Sequence, residues 1–321
     1  MKLSIIIVSW NVKDDLLRCL SSLKDNPPSV SFEQIVVDNG SADGTSDAVK
    51  QKYPEVITIA NSRNRGFAAA NNQGIKASTG QYILLLNPDT IVHTGALDTL
   101  VRFLDDNPHV GVCGAKLLYA DGCVQPSVRR FPSFRAVLYR HTVFRLLGIF
   151  RADYKRWAMK DFDYDRQADV EQVMGSAMIV RRSIIDRLGG MDERFFMYYE
   201  EVDLCYRIKQ AGGRIVFLPD AVITHLSGRS AKQIRLERRL MMLKSLMTFF
   251  RKHRNRFITE FFAVIFKFAL ILRNICHLTL GIILYVLSTT GLASGKKQHA
   301  IEKMRKCSLL LSKHLWQIIT M

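Results

Sequence analysis

The sequence predicts an α/β fold with a mostly parallel central sheet covered by helices on both faces. Three observations carry that prediction. Over the first 120 residues, apolar runs of strand length alternate with stretches of helical periodicity. Polar residues follow the apolar runs at 9–11, 38–43 and 87–90, where open sheets of this kind bind ligands beyond their strand ends. The chain has 321 residues and 48% hydrophobic content, enough for one large or two ordinary domains with a substantial core.

The elements follow in order. LSIIIVS at 3–9 is an apolar strand, and with Asn11 and Lys13-Asp14-Asp15 behind it the run is too short for a signal peptide. Residues 13–24 set Leu16, Leu17, Leu20 and Leu23 along one side of a helix. Residues 34–37 form a short strand ending at Asp38, and DNGSADGT then carries two turn dipeptides, Asn39-Gly40 and Asp43-Gly44. A helix over 45–52, a strand over 56–60 and a helix of small residues over 66–77 come next. YILLL at 82–86 is a buried strand, followed by a helix over 96–105 and a strand over 110–118. Asp121-Gly122 marks a turn. Residues 126–170 are less regular, basic and aromatic, and are expected to cover the site. A strand over 173–180, a helix over 201–210 ending at Ala211-Gly212-Gly213, and a strand over 214–218 complete the α/β part. Residues 231–253 read as a long basic helix, and a domain boundary is expected at 230.

The net charge of +17 is unevenly placed. Residues 226–321 hold 18 Lys and Arg against 3 Asp and Glu, whereas residues 1–225 hold 28 against 26. A basic third suits nucleic acid or an anionic membrane surface. Its apolar content selects the membrane, and no nucleic acid is expected. The six cysteines, at 19, 113, 123, 205, 276 and 307, show no metal-ligand spacing and read as reduced thiols of a cytoplasmic protein.

Four places carry candidate chemistry. Asp38 ends a strand and suits a ribose or base, although a tight strand-to-helix turn capped by Ser41 or Asp43 explains the same residues. No Gly-x-Gly-x-x-Gly follows the first strand and no phosphate loop occurs, which argues against a dinucleotide enzyme or an ATP hydrolase. Asp89, in LLLNPDT at 84–90, is a hard oxygen ligand just past a buried strand. Mg²⁺ usually takes only one or two protein carboxylates, so one Asp is chemically sufficient, and helix capping is the plainer alternative. FFMYYEEVDLCYR at 195–207 brings Glu200, Glu201 and Asp203 to a helix start behind five large apolar or aromatic residues. Interaction with the helix dipole explains acids there. Partial desolvation by the aromatic residues also favours a raised pKa and a role as base. Glu200 and Asp203 share a helix face, and Glu201 points about 100° away. His225 follows a strand-like AVIT, with Ser227 and Ser230 close by, and suits contact with phosphate or metal.

Seven stretches in order resemble the family 2 glycosyltransferases, in particular the bacterial rhamnosyltransferase-like members. They are SIIIVSWN at 4–11, VVDNGSADGT at 36–45, NRGFAAANNQGI at 64–75, LLLNPDT at 84–90, GSAMIVRR at 175–182, MDERFFMYYEEVDLCYR at 191–207 and ITHLSGRS at 223–230. The resemblance implies a GT-A fold, a nucleoside-diphosphate-sugar donor (a dTDP- or UDP-sugar), Mg²⁺ or Mn²⁺, and inversion at the anomeric carbon. It implies that Ser9, Trp10, Asn11 and Asp38 border the nucleoside, with Asn72 and Gly74 on the helix beside it. Asp89 matches the last Asp of the family's Asp-x-Asp motif, the metal ligand, and Asn87 stands where many relatives have the first. Glu200-Glu201 fall where relatives commonly have Glu-Asp, whose second residue acts as base. The longer side chain of Glu201 leaves the choice between the two open. Asp203 lies in the same motif, and His225 matches a His near the diphosphate. Arg129, Arg130 or Arg229 supplies positive charge to the leaving group.

The C-terminal third adds a membrane expectation. Residues 256–292 are largely apolar, and residues 274–292 contain one ionisable group, His277. Glu260, Lys267, Arg273, Asn274 and His277 fall within an arc of about 140°. An in-plane helix with its Lys and Arg toward lipid headgroups is expected, and packing on the catalytic part or in a homodimer is the alternative. Basic flanks at 251–256 and 296–297 suit a cytoplasmic leaflet. A lipid-linked acceptor explains the location. Two competing readings keep the fold: a sugar nucleotidyltransferase, which uses a Gly-rich N-terminal loop that SWNVKDD lacks, and a non-catalytic scaffold, which has no use for Asp89 or the 200–203 acids.

Overall fold

The computed structural model describes residues 1–226, 235–290, 298, 301–302, 304, 307–308 and 315–320. Strand β1 is Leu3–Ser9, helix α1 Lys13–Asp25, β2 Phe32–Asp38, α2 Thr45–Lys52, β3 Ile57–Ala60, α3 Phe67–Ala77 and β4 Tyr82–Leu86. Then come β5 Thr90–Val92, α4 Ala96–Asp106, β6 Val110–Leu118, β7 Val124–Gln125, β8 Val128–Arg129, α5 Phe134–His141, a single 3₁₀ turn at Val143–Arg145, and α6 Arg151–Ala158. β9 is Ala168–Asp169, β10 Gln172–Val173, β11 Ala177–Arg181, α7 Arg182–Leu188, α8 Glu200–Gln210 and β12 Arg214–His225. The basic C-terminal part gives α9 Arg235–His253, α10 Arg256–Thr289 and α11 Leu315–Thr320.

The main sheet runs β3-β2-β1-β4-β11-β6-β12-β5. Its first four strands are parallel, as the βαβ alternation predicts. β11 is antiparallel to both β4 and β6, so the sheet is mixed. This inversion matters for the site: β11 enters beside the carboxyl end of β4, where Ala177 pairs with Leu86. Successive β1 side chains point to opposite faces. Leu3, Ile5 and Ile7 join α1 in one apolar core, and Ile6 joins Ala68 and Ile75 of α3 in the other.

Two expected strands differ from the structure, and a further strand had no counterpart in the sequence reading. The expected strand over 173–180 is two pieces, because Gly175 and Ser176 break it into β10 and β11. The expected strand over 214–218 continues to His225. A register shift between Leu218 and Val222 absorbs Pro219-Asp220, and the strand then pairs β6 and β5. β5 itself was not expected; its three residues are too few to show periodicity.

The chain forms two compact units, Met1–Phe131 with Ala158–Ser245, and Pro132–Trp157 with Leu246–Met321. The second unit thus takes in part of the irregular 126–170 segment and, of the basic tail expected from 231, the part from Leu246 onward, while 231–245 falls in the first unit. The residues of the second unit hold 18 Lys and Arg against 3 Asp and Glu, so the charge asymmetry coincides with the structural division. Arg229, Ser227, Ser230, Lys296 and Lys297 lie outside the described residues.

Candidate active site

The site is built at the carboxyl ends of β1, β2 and β4 in the first unit. Ser9 and Asp38 end neighbouring strands in register. Both are buried, and Asp38 Oδ1 accepts from the Ser41 amide at 2.9 Å while Ser9 Oγ has no partner. Asn11, at φ 52°, stitches the two strand-end loops together: its amide donates to Ser41 Oγ at 3.0 Å and its Oδ1 accepts from Ala42 N at 2.7 Å. Trp10 beside it is half-buried.

Asn39, read from sequence only as a turn residue, organises the next loop. Its Oδ1 accepts from Arg65 N and Asn61 Nδ2, and its Nδ2 donates to Asn64 Oδ1 and the Gly66 carbonyl. Asn72 and Gly74 have internal roles. Asn72 Nδ2 donates to the Met191 carbonyl at 2.8 Å and its Oδ1 accepts from Met191 N at 2.9 Å, which ties down the approach to the acidic helix. Gly74 faces the sheet, where a Cβ would overlap Ile6 Cγ2, so its small size lets α3 lie against β1.

Asn87 and Asp89 lie where β4 leaves the sheet. Asn87 N donates to the Ser176 carbonyl at 2.9 Å, and its own carbonyl accepts from Thr90 Oγ1 at 2.7 Å. Cys19 lies under this turn with Sγ 3.4 Å from Thr90 Oγ1, and burial pushes its thiol up to about 12, so it is inert. The β5–β12 pairing sets His225 opposite Thr90, and the Leu226 amide donates to the Asp89 carbonyl at 2.8 Å. His225 Nε2 thereby stands 3.3 Å from Asp89 Oδ1, both side chains being buried.

The second ring nitrogen fixes the chemistry. His225 Nδ1 lies 2.8 Å from Gln125 Oε1, an atom that only accepts. In the neutral ring the proton therefore sits on Nδ1, and Nε2 offers a lone pair toward Asp89. The Asn87 side-chain amide lies 3.3 Å from the same Nε2. A carboxylate and an imidazole lone pair facing one another suit a divalent cation, and an oxygen–nitrogen pair accepts Mg²⁺ or Mn²⁺. Among the described residues no group of three or more His, Cys, Asp and Glu is gathered for a metal. An ion held by Asp89 and His225 would need its other ligands from elsewhere, such as substrate oxygens and water. Nothing in the sequence pointed to Gln125, since a lone Gln in a short strand carries no pattern.

The acidic helix completes the site. Tyr198 and Tyr199 precede it at φ 70° and 69°, a left-handed pair of non-glycine residues. Such conformations concentrate at functional sites because the surroundings must hold them. Here the Phe67 amide donates to the Phe196 carbonyl at 2.6 Å, Ser245 Oγ donates to the Met197 carbonyl at 2.8 Å, and the Arg238 guanidinium lies over the Tyr198 ring at 5.8 Å. Glu200 is buried, and one oxygen of each of Glu200 and Glu201 is buried without a partner. Burial raises both carboxyl groups above the usual carboxylate range. Repulsion from Glu201 adds to the effect at Glu200, whereas backbone amides at the helix start and Arg129 pull Glu201 back down. The two environments thus differ, with more opposing groups lowering Glu201 than Glu200.

Asp203 is held in an ion pair. It is fully buried, and its Oδ2 accepts from Arg207 Nε at 2.7 Å. Arg207 also donates to the carbonyls of Leu188 and Gly190, so the pair anchors α8 to the end of α7. Of the candidate arginines, Arg129 acts electrostatically on Glu201, while Arg130 is exposed. Gly175 brings the two halves together. A Cβ there would lie 3.1 Å from Glu201 Cβ, and the next residue, Ser176, holds Asn87. Ser127 and Ser176 have buried hydroxyls with no partner. With Glu200 and Glu201 they account for four of the seven such orphaned polar residues among the described residues, as expected where a polar substrate supplies the partners.

Comparison with known proteins agrees with this geometry. Residues 4–188 match the family model described as Glycosyl transferase family 2. N-acetylglucosaminyl-diphospho-decaprenol L-rhamnosyltransferase of Mycobacterium tuberculosis is 32% identical over 245 residues, covering 71% of this chain and 77% of that protein. Rhamnosyltransferase WbbL of Escherichia coli (strain K12) is 30% identical over 225 residues, covering 67% and 80% respectively. Among solved structures, mannosyltransferase PcManGT from Pyrobaculum calidifontis, in complex with GDP-Man and Mn²⁺, superposes with a TM-score of 0.57 at 17% identity, over 98% of this chain and 87% of that one. At that identity the likeness concerns the fold, which is GT-A-like.

Proposed function

Because this chain belongs to glycosyltransferase family 2, we propose that it is an inverting, metal-assisted transferase that moves a sugar, rhamnose first, from a dTDP- or UDP-sugar to a hydroxyl of a lipid-linked saccharide. The observation that carries the proposal is the arrangement about Gly175-Ser176. The stem of the Glu201 side chain packs on Gly175, and Ser176 is bonded to the Asn87 turn that carries Asp89. Inversion needs a base on one side of the anomeric carbon and a diphosphate clamp on the other, and this arrangement supplies both groups.

Each residue has a derivable role. Glu201 accepts the proton of the acceptor hydroxyl as that oxygen bonds to the anomeric carbon. The nucleoside diphosphate departs from the opposite face with the bonding electrons. Glu200, whose buried Oε2 has no protein partner, offers a hydrogen bond to a sugar hydroxyl. Asp89 and His225 would hold the divalent ion, which supplies Lewis-acid stabilisation of the leaving diphosphate. Gln125 keeps His225 in the ligand tautomer. Arg129 adds positive charge beside Glu201. Ser9 and Asp38 offer polar groups to the nucleoside.

The names of two curated relatives support rhamnose, and that of the M. tuberculosis protein supports a polyprenol-diphosphate-linked acceptor. Such an acceptor puts the enzyme at the inner face of the plasma membrane. A thermal-shift screen of nucleotide sugars with Mg²⁺ or Mn²⁺ tests the donor. Stabilisation follows RT ln(1 + [L]/Kd), so the true donor raises the midpoint and unrelated nucleotides do not. A chain stabilised by none of the dTDP- and UDP-sugars contradicts the assignment.

A further inference from the structure

We infer that the second unit is a membrane-docking platform in which α10 lies in the plane of an anionic bilayer and inserts its outer face. The inference rests on the proposed work at a membrane and adds which surface does it, and in what orientation.

α10 is the one described helix long and apolar enough to cross a membrane, at 34 residues. Only 17% of its most apolar window is buried. Its exposed residues form a stripe. Phe257, Phe261, Val264, Phe268, Leu272 and Ile275 follow one another at spacings of three and four, which places them on one side of the helix. Phe257, Phe261 and Phe268 are 86%, 71% and 69% exposed, far beyond what a water-facing helix carries.

The polar residues of α10 lie off the stripe, although Glu260 is itself exposed. Glu260 accepts from Arg251 Nε at 2.8 Å, Lys267 Nζ donates to the Ile319 carbonyl at 2.9 Å, and Asn274 Nδ2 donates to the Leu270 carbonyl at 2.6 Å. Arg273 donates to the His141 carbonyl, at the end of α5, at 2.8 Å. Phe262 and Phe266 pack inward beside them, with Phe262 stacked on Phe134 of α5 at 4.3 Å. The expected orientation, with Lys and Arg facing the headgroups, is therefore corrected: these groups are bound within the unit and the apolar side faces out.

The same contacts decide between lying and spanning. α5 and its polar partners occupy α10 as far as Arg273. The remaining residues, 274–289, extend about 24 Å, less than the roughly 30 Å of a bilayer core. A span would have to strip α5 from α10. Lying flat, the helix keeps every internal contact and presents a stripe about 27 Å long.

A second element of the unit repeats the pattern. Leu146, Leu147 and Ile149 are 53%, 65% and 42% exposed in the loop between the 3₁₀ turn and α6, with Arg145 and Arg151 on its flanks. Arg251, Lys252, Arg254 and Arg256 lead into α10. Exposed apolar side chains bordered by cations, in a unit with 18 basic and 3 acidic residues, match a bilayer with anionic headgroups.

Flotation of the full chain with vesicles of phosphatidylglycerol and phosphatidylcholine tests the inference. The full chain is expected to float, and F261D/F268D to lose at least tenfold in the bound fraction, with its circular dichroism and donor hydrolysis unchanged. L147D, in the loop after the 3₁₀ turn, is expected to weaken binding several-fold. Spin labels at F261C and I275C, in a background lacking Cys123 and Cys276, are expected at one depth. A difference near 20 Å between them means a span and overturns the orientation. Flotation that survives F261D/F268D overturns the surface while leaving the membrane reading intact. A full chain that stays in solution, or a stripe covered by a second copy (a dimer in ultracentrifugation that F261D/F268D makes monomeric), overturns the inference, and donor hydrolysis reports separately on the transferase reading.

Discussion

His225 Nε2 lies 3.3 Å from Asp89 Oδ1, and the tautomer that makes this a ligand pair is set by Gln125, 2.8 Å from Nδ1. Partners of this kind typically change metal affinity about 10–100-fold when removed. Q125L is therefore expected to weaken Mn²⁺ binding by that factor, and Q125E, which keeps an acceptor, to restore it. Titration calorimetry of Mn²⁺ without donor reads this directly. Equal affinity in all three chains removes Gln125 from the site.

Asp89 and Asn87 should separate sharply. D89A removes the carboxylate and is expected to lower metal-dependent turnover by about 10²–10³-fold. N87A keeps the main-chain bonds to Ser176 and Thr90 and is expected to stay within about tenfold of the unaltered chain. Steady-state rates at saturating Mg²⁺ compare them.

Two glycines test packing against positioning. A Cβ at Gly175 meets Glu201 Cβ at 3.1 Å, so G175A is expected to lower kcat by about tenfold with little change in melting temperature. G74A forces a methyl against Ile6 in the core and is expected to cost about 1–3 kcal/mol of stability while kcat per folded molecule is kept. Denaturation and kinetics on the same samples distinguish the two.

The raised carboxyl groups of Glu200 and Glu201 link activity to stability. A carboxyl whose folded pKa exceeds its unfolded value, about 4.3, binds protons more tightly when folded. Stability therefore falls as pH rises from the unfolded value through the folded one. E201Q is expected to raise the melting temperature at pH 7 and to lose that advantage below about pH 4. Turnover of the unaltered chain is expected to rise with pH on an acid limb above the ordinary carboxylate range.

Much of the fold was legible because its strands are short, buried and apolar. The runs at 3–9, 82–86 and 110–118 match β1, β4 and β6, and the alternation with helices implied the parallel half of the sheet. The antiparallel β11 was not legible, since an apolar run does not state its direction. β12 read as ending before Pro219, but pairing on both edges carries it to His225. In the site, residues inside dense motifs stood out, while their roles came from tertiary contacts. Asp203 looks like its acidic neighbours until Arg207 is seen to bind it, and Gly74 looks like a ligand-helix residue until Ile6 is seen beneath it. Gln125 became visible only through its bond to His225, one hundred residues away.

The most direct test measures release of nucleoside diphosphate from a dTDP- or UDP-sugar, with a polyprenol-linked acceptor and Mg²⁺ or Mn²⁺. The unaltered chain is compared with D89A and E201Q. Acceptor-dependent release that falls by about 10²-fold or more in each variant is the expected result. Release that is independent of both Asp89 and Glu201 contradicts the central claim that these two carboxylates, joined through Gly175-Ser176, perform the transfer.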